Sequence, residues 1–362
     1  MLNEKIKIFH LSDIHLDSEF SLNNILGYNF SKRREEIWKT FEDAFKFAKE
    51  EGVEIVLISG DLYENDFVTI SSLDRIAIIF NKFKDIKVLI TLGNHDFISS
   101  KSEYLKSIVH ENVYIFSNKL EFVEYKYIRI YGFSWDRRNY VHFPININNL
   151  NNNYFNVLSL HGMTSSNSEY LPIDIKNPSL KEFDYIALGH IHKPTKVTSN
   201  MYYCGSIEPL SFNNTGAHGG LLIEVERKDF HVDFIPLAKR NYEIIEIDST
   251  EILNNQELYD LIKNKLKSVS TDDIIKIIVK GSKREILDLI QMELILKSEF
   301  ELIEISDETT LHYNIEDLIY KNKDNLIGKY FDFIFDNYKD EELKELIKIG
   351  IESFPLENNN EN

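Results

Sequence analysis

An α/β fold in four layers, α-β-β-α, followed by a second and smaller α/β domain, is predicted for this chain by three observations. Residues 6–91 alternate short apolar runs with stretches of helical periodicity. Beyond residue 112, β-type runs follow one another with mostly turns between them. A Pro-led connector at 236–240 (PLAKR) then precedes a third alternation of strand and helix patterns. At 362 residues the chain exceeds one ordinary domain, since single domains usually run to about 100–200 residues. Two domains are therefore expected, residues 1–240 and 241–362.

The first strand is read at 6–11; the next segment, 32–50 (KRREEIWKTFEDAFKFAKE), carries apolar residues at helical spacing and stops before Gly52. A strand at 55–59 completes a β-α-β unit. A helix at 69–84 and a strand at 88–91 extend it into a parallel sheet covered by helices. Strands at 113–116, 121–125, 128–132, 157–160, 185–188, 197–204, 220–226 and 230–235 predict a second, largely antiparallel sheet facing the first. The Asn-rich stretch 146–153 reads as a solvated loop. After the connector, strands at 243–247, 274–279 and 300–305 alternate with helices at 256–267 and 285–297. Three further helical patterns follow. That at 341–353 puts Leu343, Leu346, Ile347 and Ile351 on one face, expected to pack on its own domain.

No run approaches the roughly 18 apolar residues of a membrane span, and the polar start of the chain shows no signal peptide, so no membrane partner and a cytoplasmic location are expected. With Cys204 alone, an intrachain disulfide is excluded, and this residue reads as a small buried hydrophobe. The formal charge of −18 argues against binding nucleic acid. Its distribution softens that: residues 1–240 carry 31 acidic and 27 basic side chains, net −4, whereas 241–362 carry 28 and 14, net −14. Two divalent cations in the first region would offset its deficit.

Five polar blocks, each directly after a β-type run, hold the candidate chemistry: Asp13-Ile14-His15, Gly60-Asp61, Gly93-Asn94-His95-Asp96, His161-Gly162 and Gly189-His190-Ile191-His192. Taken singly, Gly-Asp is usually a turn and a lone His a satisfied structural residue. Strand-end loops, however, deliver their side chains to one rim of a sheet. The five together make a two-metal ligand set, whose mixed oxygen and nitrogen donors suit Mn²⁺, with Fe²⁺ or Zn²⁺ as the other candidates. Asp13 and His15 can turn to one cation, while His190 and His192 can reach one each. Asp61 can bridge two ions roughly 3.5–4 Å apart, and Asn94 adds a neutral oxygen. The imidazoles outside the blocks, among them His10 and His312, read as core or surface residues.

In this order, the blocks resemble the calcineurin-like metallophosphoesterase superfamily across residues 13–192, and so identify the predicted layers with its metallophosphoesterase sandwich. Within it, SDIHLD, SGDLYEND, LGNHDF, LGHIHKP and above all YYCGSIEPLSFNNTGAHGGLLIEV at 202–225 are similar to DNA repair exonucleases of the SbcD and YhaO type. The resemblance implies one metal on Asp13, His15, Asp61 and His192, and the other on Asp61, Asn94, His161 and His190. It also implies that His95 faces the scissile phosphate with Asp96 fixing its ring, so that the imidazole either stabilises the transition-state oxygens or protonates the leaving 3′-oxygen. The implied activity is a Mn²⁺-dependent DNA exonuclease, with single-strand endonuclease action, working through a metal-bridging hydroxide. The implied partners are DNA and a coiled-coil ATPase of the SbcC or YhaN type, with room for a homodimer, and the second domain becomes an accessory or capping domain. Alternatives are a phosphoesterase for small nucleotides or phosphoproteins and, without catalysis, a scaffold. The chain departs from some family nucleases in carrying Glu64 where they place a His. Phe20, Tyr63 and Phe67 are candidates for stacking on bases, and Lys193 for a phosphate contact.

Overall fold

Alternation along the first strands decides how the layers assemble. In β1 (Ile6–Leu11), Ile6 and Ile8 join the core that also takes Ile128, Ile130, Val157 and Ala187, whereas Phe9 and Leu11 turn to the core that holds Phe41, Phe45, Ile76 and Phe80. Both faces are buried because a sheet lies on one and helices on the other, so these strands read as continuous apolar runs. The computed structural model describes residues 5–19, 30–143, 150–165, 167–283, 287–300, 303–311, 319–320 and 322–353. The chain divides into two compact units, Met1–Glu243 with Asp272–Ile275, and Ile244–Thr271 with Lys276–Asn362.

In the first unit, α1 (Phe30–Glu50) follows β1, then come β2 (Ile55–Ser59), α2 (Ile70–Lys82), β3 (Lys87–Thr91), α3 (Ser100–Ile108) and β4 (Val113–Ile115). Strands β1 to β4 are parallel. The second sheet holds β5 (Glu121–Tyr125), β6 (Ile128–Gly132), β7 (Phe155–His161), β8 (Tyr185–Gly189), β9 (Thr195–Lys196) and β10 (Met201–Tyr203), in the order β5-β6-β7-β8-β10-β9. Its outer face carries Leu158, Leu160, Ile186 and Leu188, covered by Trp135, Leu171, Ile173 and the 3-10 turn Pro178–Glu182. The two facing sheets, with helices over the first and Trp135, Leu171, Ile173 and the 3-10 turn over the second, form the layered sandwich that the sequence predicts.

Three sequence expectations are corrected. The second sheet is not largely antiparallel: β6, β7, β8 and β10 pair in parallel, and only the flanking β5 and β9 run antiparallel. The stretches 133–154 and 162–184 are long enough for crossovers, which a parallel pair requires and short strand spacing does not reveal. Strands β11 (Gly219–Glu226) and β12 (Asp229–Pro236) belong to the first sheet, with β11 antiparallel to β1. The single strand expected at 197–204 is a small antiparallel pair, β9 with β10, turning through 197–200. Helix α3 lacked a strong apolar stripe, yet Ser99 and Ser102 close a capping box at its start.

The second unit contains most of β13 (Tyr242–Asp248) and of β14 (Ile274–Lys280), both of which begin in the first unit's span, with α4 (Asn255–Leu266) between them, then β15 (Ser282–Lys283), α5 (Leu289–Leu296), β16 (Ile303–Asp307) and β17 (Thr310–Leu311). Strands β13, β14 and β16 form one sheet. Helices Leu326–Asn337 and Asp340–Ser353 follow, and Leu343, Leu346 and Ile347 of the latter pack on Phe331 and Ile334 of the former. Residues 146–149, the first part of the Asn-rich stretch, and His312 lie outside the described residues, as do 285–286 and 301–302 of the expected helix and strand.

Within the first unit, the segment Gly205 to Pro209 is tied to α1 by a buried ion pair. Arg33 of α1 donates to Glu208 at 2.8 Å and to the Pro209 carbonyl at 2.8 Å, and both charged side chains are buried. Glu208 also accepts from Thr40 at 2.5 Å and from the Lys239 amide at 2.8 Å. Removing one partner of such a pair leaves a charge without compensation. Glu208→Ala should therefore destabilise this unit by about 3–5 kcal/mol, whereas the apolar pair Arg33→Met with Glu208→Leu should lose less. Urea unfolding followed by the fluorescence of Trp38 and Trp135, both in the first unit, checks the order; a double variant as unstable as the single would contradict it.

Candidate metal centre

The loops after β1, β2, β3, β7 and β8 carry the candidate residues, and the loop after β1 is fastened to the loop after β2 by main-chain hydrogen bonds. Asp13 N donates to the Gly60 carbonyl (3.0 Å), Ile14 N and His15 N to that of Asp61 (2.8 and 3.0 Å), and Leu16 N to that of Leu62 (3.0 Å). Four candidate ligands occupy left-handed backbone: Asp13 (φ 50°), His15 (51°), Asp61 (55°) and His190 (102°). That conformation is unfavourable for L-residues and persists where surrounding structure enforces it, commonly at functional sites. Two glycines permit the crowding. A Cβ on Gly60, itself at φ +91°, would lie 2.2 Å from the His161 ring, and one on Gly189 would lie 1.9 Å from the Ser59 carbonyl oxygen.

Within this rim, hydrogen-bond directions leave lone pairs facing lone pairs. His161 Nδ1 lies 3.0 Å from the Ser59 carbonyl, which can only accept. The neutral ring therefore presents an unprotonated Nε2, and that atom meets Asp61 Oδ2 at 3.1 Å and Asn94 Oδ1 at 3.0 Å. His15 repeats the pattern: Nδ1 is held by Glu64 Oε1 at 2.6 Å, and Nε2 faces His192 Nε2 at 3.2 Å and Asp61 Oδ2 at 3.8 Å. His192 Nε2 is in turn 3.7 Å from Asp13 Oδ1. Such a cluster needs protons or cations between its members. Asp13, His15 and His192 can converge on one point, as can Asp13, Asp61 and His161, with ligand atoms in each group within 4.8 Å of one another. The donor set fits divalent cations.

The titration behaviour of the protein itself follows from the same crowding. Burial works against a cation on His161, yet the Asp61 carboxylate outweighs it and raises the ring to about 9. Asp61, despite its burial, is held far below the usual carboxylate range by His161, His15 and His95. Burial and the neighbouring His161 push His190 down to about 4, and burial also lowers His192. The main-chain amide of His190 donates to both oxygens of Asp13 (3.0 and 3.1 Å), and its ring lies edge-on to His161 with Tyr170 against it.

His95 stands at the rim with 44% of its side chain exposed. Its ring, however, is not fixed by Asp96, as the resemblance implied. Asp96 is buried and accepts main-chain N–H groups from Asp61 (3.2 Å), Leu62 (2.8 Å) and Gly93 (2.6 Å), so it fastens two loops together. Burial and the Asp61 charge raise its pKa to about 7 against the Gly93 and Leu62 amides, which favour the anion. The His95 ring is held by Glu64 instead, with Nδ1 2.7 Å from Oε2. Against the cost of burial, that bond and the Asp61 charge raise His95 to about 9, and Glu64 falls to about 2 through its two imidazole partners despite its own burial. The sequence marked Glu64 only as a departure; the missing signal was its reach to two loops at once.

Tyr63 is buried in the core beneath the helices and cannot stack on a base, which corrects that expectation. Phe67 is 46% exposed and Lys193 is exposed. Phe20 lies outside the described residues. Ser206 of the segment at 202–225 forms a bridge with Ser12 and a hydrogen bond to His218 at 2.9 Å, so this part of the segment braces the loop that carries Asp13.

Comparison with known proteins places these loops in a family. The SbcD component of the nuclease SbcCD from Staphylococcus saprophyticus is 24% identical over 67% of this chain and 72% of its own length. DNA double-strand break repair proteins Mre11 are similar over more: that of Saccharolobus solfataricus at 25% identity over 84% of this chain and 83% of its own, and that of Methanocaldococcus jannaschii at 24% over 93% and 96%. The family profile described as calcineurin-like phosphoesterase matches residues 6–194, a span that begins with β1 and takes in all five loops. Since that span is more than half of the chain, the chain belongs to the calcineurin-like phosphoesterase family.

Proposed function

We propose that this protein is a DNA repair nuclease that hydrolyses phosphodiester bonds with a pair of divalent cations, of which Mn²⁺ suits the donors best. The observation that carries the chemistry is the buried His161 Nε2 facing two oxygens at 3.0 and 3.1 Å, an arrangement that a cation relieves. The substrate class is supported by one relative named as a nuclease subunit and others named as DNA double-strand break repair proteins, which align over most of this chain.

In this reading Asp13, His15, Asp61 and His192 hold one cation, and Asp61, Asn94, His161 and His190 hold the other. Bound there, the pair would activate water and offset phosphate charge in an in-line displacement. The chain's own contribution is orientation. The loop contacts of Asp13 and Asp61 set the carboxylates before substrate arrives, and Asn94 adds an oxygen without charge. His95, with Nδ1 engaged by Glu64, has Nε2 left to meet the phosphate or to give its proton to the leaving 3′-oxygen as the P–O bond breaks. Phe67 and Lys193, exposed near these loops in sequence, are the remaining candidates for contact with DNA. Endonuclease action on single strands belongs to the same proposal.

Among the described residues no helix is long and apolar enough to cross a membrane. The acid excess of 241–362 leaves little positive charge there for a phosphate backbone. We therefore assign that region an accessory or capping role and place the DNA grip with a partner ATPase of the SbcC type, in line with a relative named as one component of the nuclease SbcCD.

End-labelled linear duplex and single-stranded DNA should be degraded with Mn²⁺ and left intact with chelator. Cleavage of a cyclic nucleotide or a phosphopeptide in place of DNA would transfer the same chemistry to another substrate. Asn94→Ala should abolish turnover by removing a ligand. His95→Leu should lower kcat by about 10²–10⁴-fold while cation binding by calorimetry stays at the wild-type level; near-normal turnover would remove His95 from its role.

The titrations give a further check. In the metal-free protein His95 and His161 are raised to about 9 from an ordinary 6.5. Their paired cations stabilise the fold fully below the unfolded value, and this is lost as pH rises through the folded one. Metal-free protein should therefore melt lower at pH 9 than at pH 6.5, while the rise in melting temperature on adding divalent cation should grow across that interval, because the metal displaces the proton of the ligand His161. A metal-induced rise that shrinks with pH would count against this ligand set.

A further inference from the structure

Glu64 touches the centre from behind. One oxygen of its carboxylate lies 2.6 Å from His15 Nδ1 and the other 2.7 Å from His95 Nδ1, and the two rings meet edge to face, 4.9 Å apart at 82°. Only 13% of the Glu64 side chain is exposed, so water is a poor substitute for either bond.

We propose that Glu64 is the positioning residue of this centre: a single carboxylate fixes the ring orientation and the tautomer of His15 and of His95 together. The roles of those two imidazoles rest on the function proposed above, but their orientation does not. A carboxylate only accepts, so both rings must carry hydrogen on Nδ1. His15 then directs an unprotonated Nε2 at Asp61 and His192, as a ligand must. His95, whose Nδ1 is occupied in the same way, has Nε2 to present to substrate. Outer partners of this kind commonly tune metal affinity or activity by about 10–100-fold. Here the same side chain serves a ligand and a substrate-facing group, so perturbing it should affect both.

Gln is the discriminating substitution. It keeps the size of Glu but offers one accepting oxygen and one NH₂ group, and an NH₂ cannot receive an Nδ1–H. One imidazole must then move its proton to Nε2 or turn away. The competing arrangement is a cation held directly by Glu64, since suitable atoms of His15, Glu64 and His95 lie within 4.8 Å of one another.

The test compares the full-length wild type with Glu64→Gln, labelled with ¹⁵N-histidine. Imidazole nitrogen spectra of the metal-free proteins, recorded above the value of about 9 to which His95 is raised, report the tautomers, Mn²⁺ titration by calorimetry reports affinity and stoichiometry, and kinetics on end-labelled DNA separates kcat from KM. The expected result is a folded protein that still melts cooperatively, a changed tautomer at His15 or His95, and Mn²⁺ affinity and kcat both lower by about 10–100-fold with KM little altered. Wild-type tautomers with affinity and kcat within about twofold of wild type would overturn the proposal, and so would the loss of one bound Mn²⁺ at unchanged affinity of the rest, which marks Glu64 as a ligand. Should Glu64→Gln fail to fold, Glu64→Asp, shorter by one methylene and unable to span both rings, takes its place with the same expected losses. Should the wild type cleave no DNA, the function proposed above fails, and the tautomers and affinity still decide the place of Glu64.

Discussion

The position of the Asp61 carboxylate is the constraint on which the rest of this molecule depends. It is buried, 3.1 Å from one imidazole and 3.8 Å from another, and it accepts the His95 amide at 2.9 Å. Burying a carboxylate is costly unless charge or hydrogen bonds compensate it. Here compensation comes from three loops that lie far apart in the sequence, so the anion gathers them. Its own residue adopts left-handed backbone and donates its amide to Asp96, which also takes the amides of Leu62 and Gly93. Position, charge and backbone conformation at Asp61 are thus parts of one arrangement.

Support for that arrangement is layered outward. Main-chain bonds fasten the loop of Asp13 to the loop of Asp61, Ser206 bridges to Ser12, and Glu208, two residues beyond Ser206, is clamped by Arg33 of α1. Glu36 on the same helix meets Arg240 through both carboxylate oxygens at 2.9 Å, so the connector is anchored to α1 as well. Rigid elements hold loops, and loops hold ligands. A site built this way is pre-organised for cations before they bind.

Much of this was legible in the sequence, and the reason is geometric. Apolar runs ended by Asp13, Asp61, Asn94, His161 and His190 can place those side chains on one rim only if the strands are parallel within each half, and the first sheet's alternation with helices announced that. The second sheet's parallel core did not announce itself, because its crossovers at 133–154 and 162–184 contain no α-helix among the described residues. Tyr63 beside Asp61 read as a loop aromatic, but it pairs with Leu16 and enters the core. Glu64 takes the partner expected for Asp96. Adjacency in sequence favoured Asp96 for His95, whereas the loop geometry turns Asp96 inward to amides and brings Glu64 to the ring.

The acidity of the chain is consistent with a phosphate substrate once its location is considered. Residues 1–240 are only slightly acidic, net −4, and the residues of the candidate metal centre that carry negative charge, Asp13, Asp61 and Glu64, each face imidazoles or amides that balance them. Two bound divalent cations would bring a further +4 to the rim itself. Attraction of a phosphate at close range would then depend on bound cations rather than on a basic surface. Such a centre discriminates by chemistry at the scissile bond and contributes little long-range hold on a polymer, since phosphate-backbone affinity comes chiefly from Lys and Arg. In the proposed function the hold on DNA therefore falls to a partner, and the acid-rich region beyond residue 240, net −14, offers little positive charge to replace it.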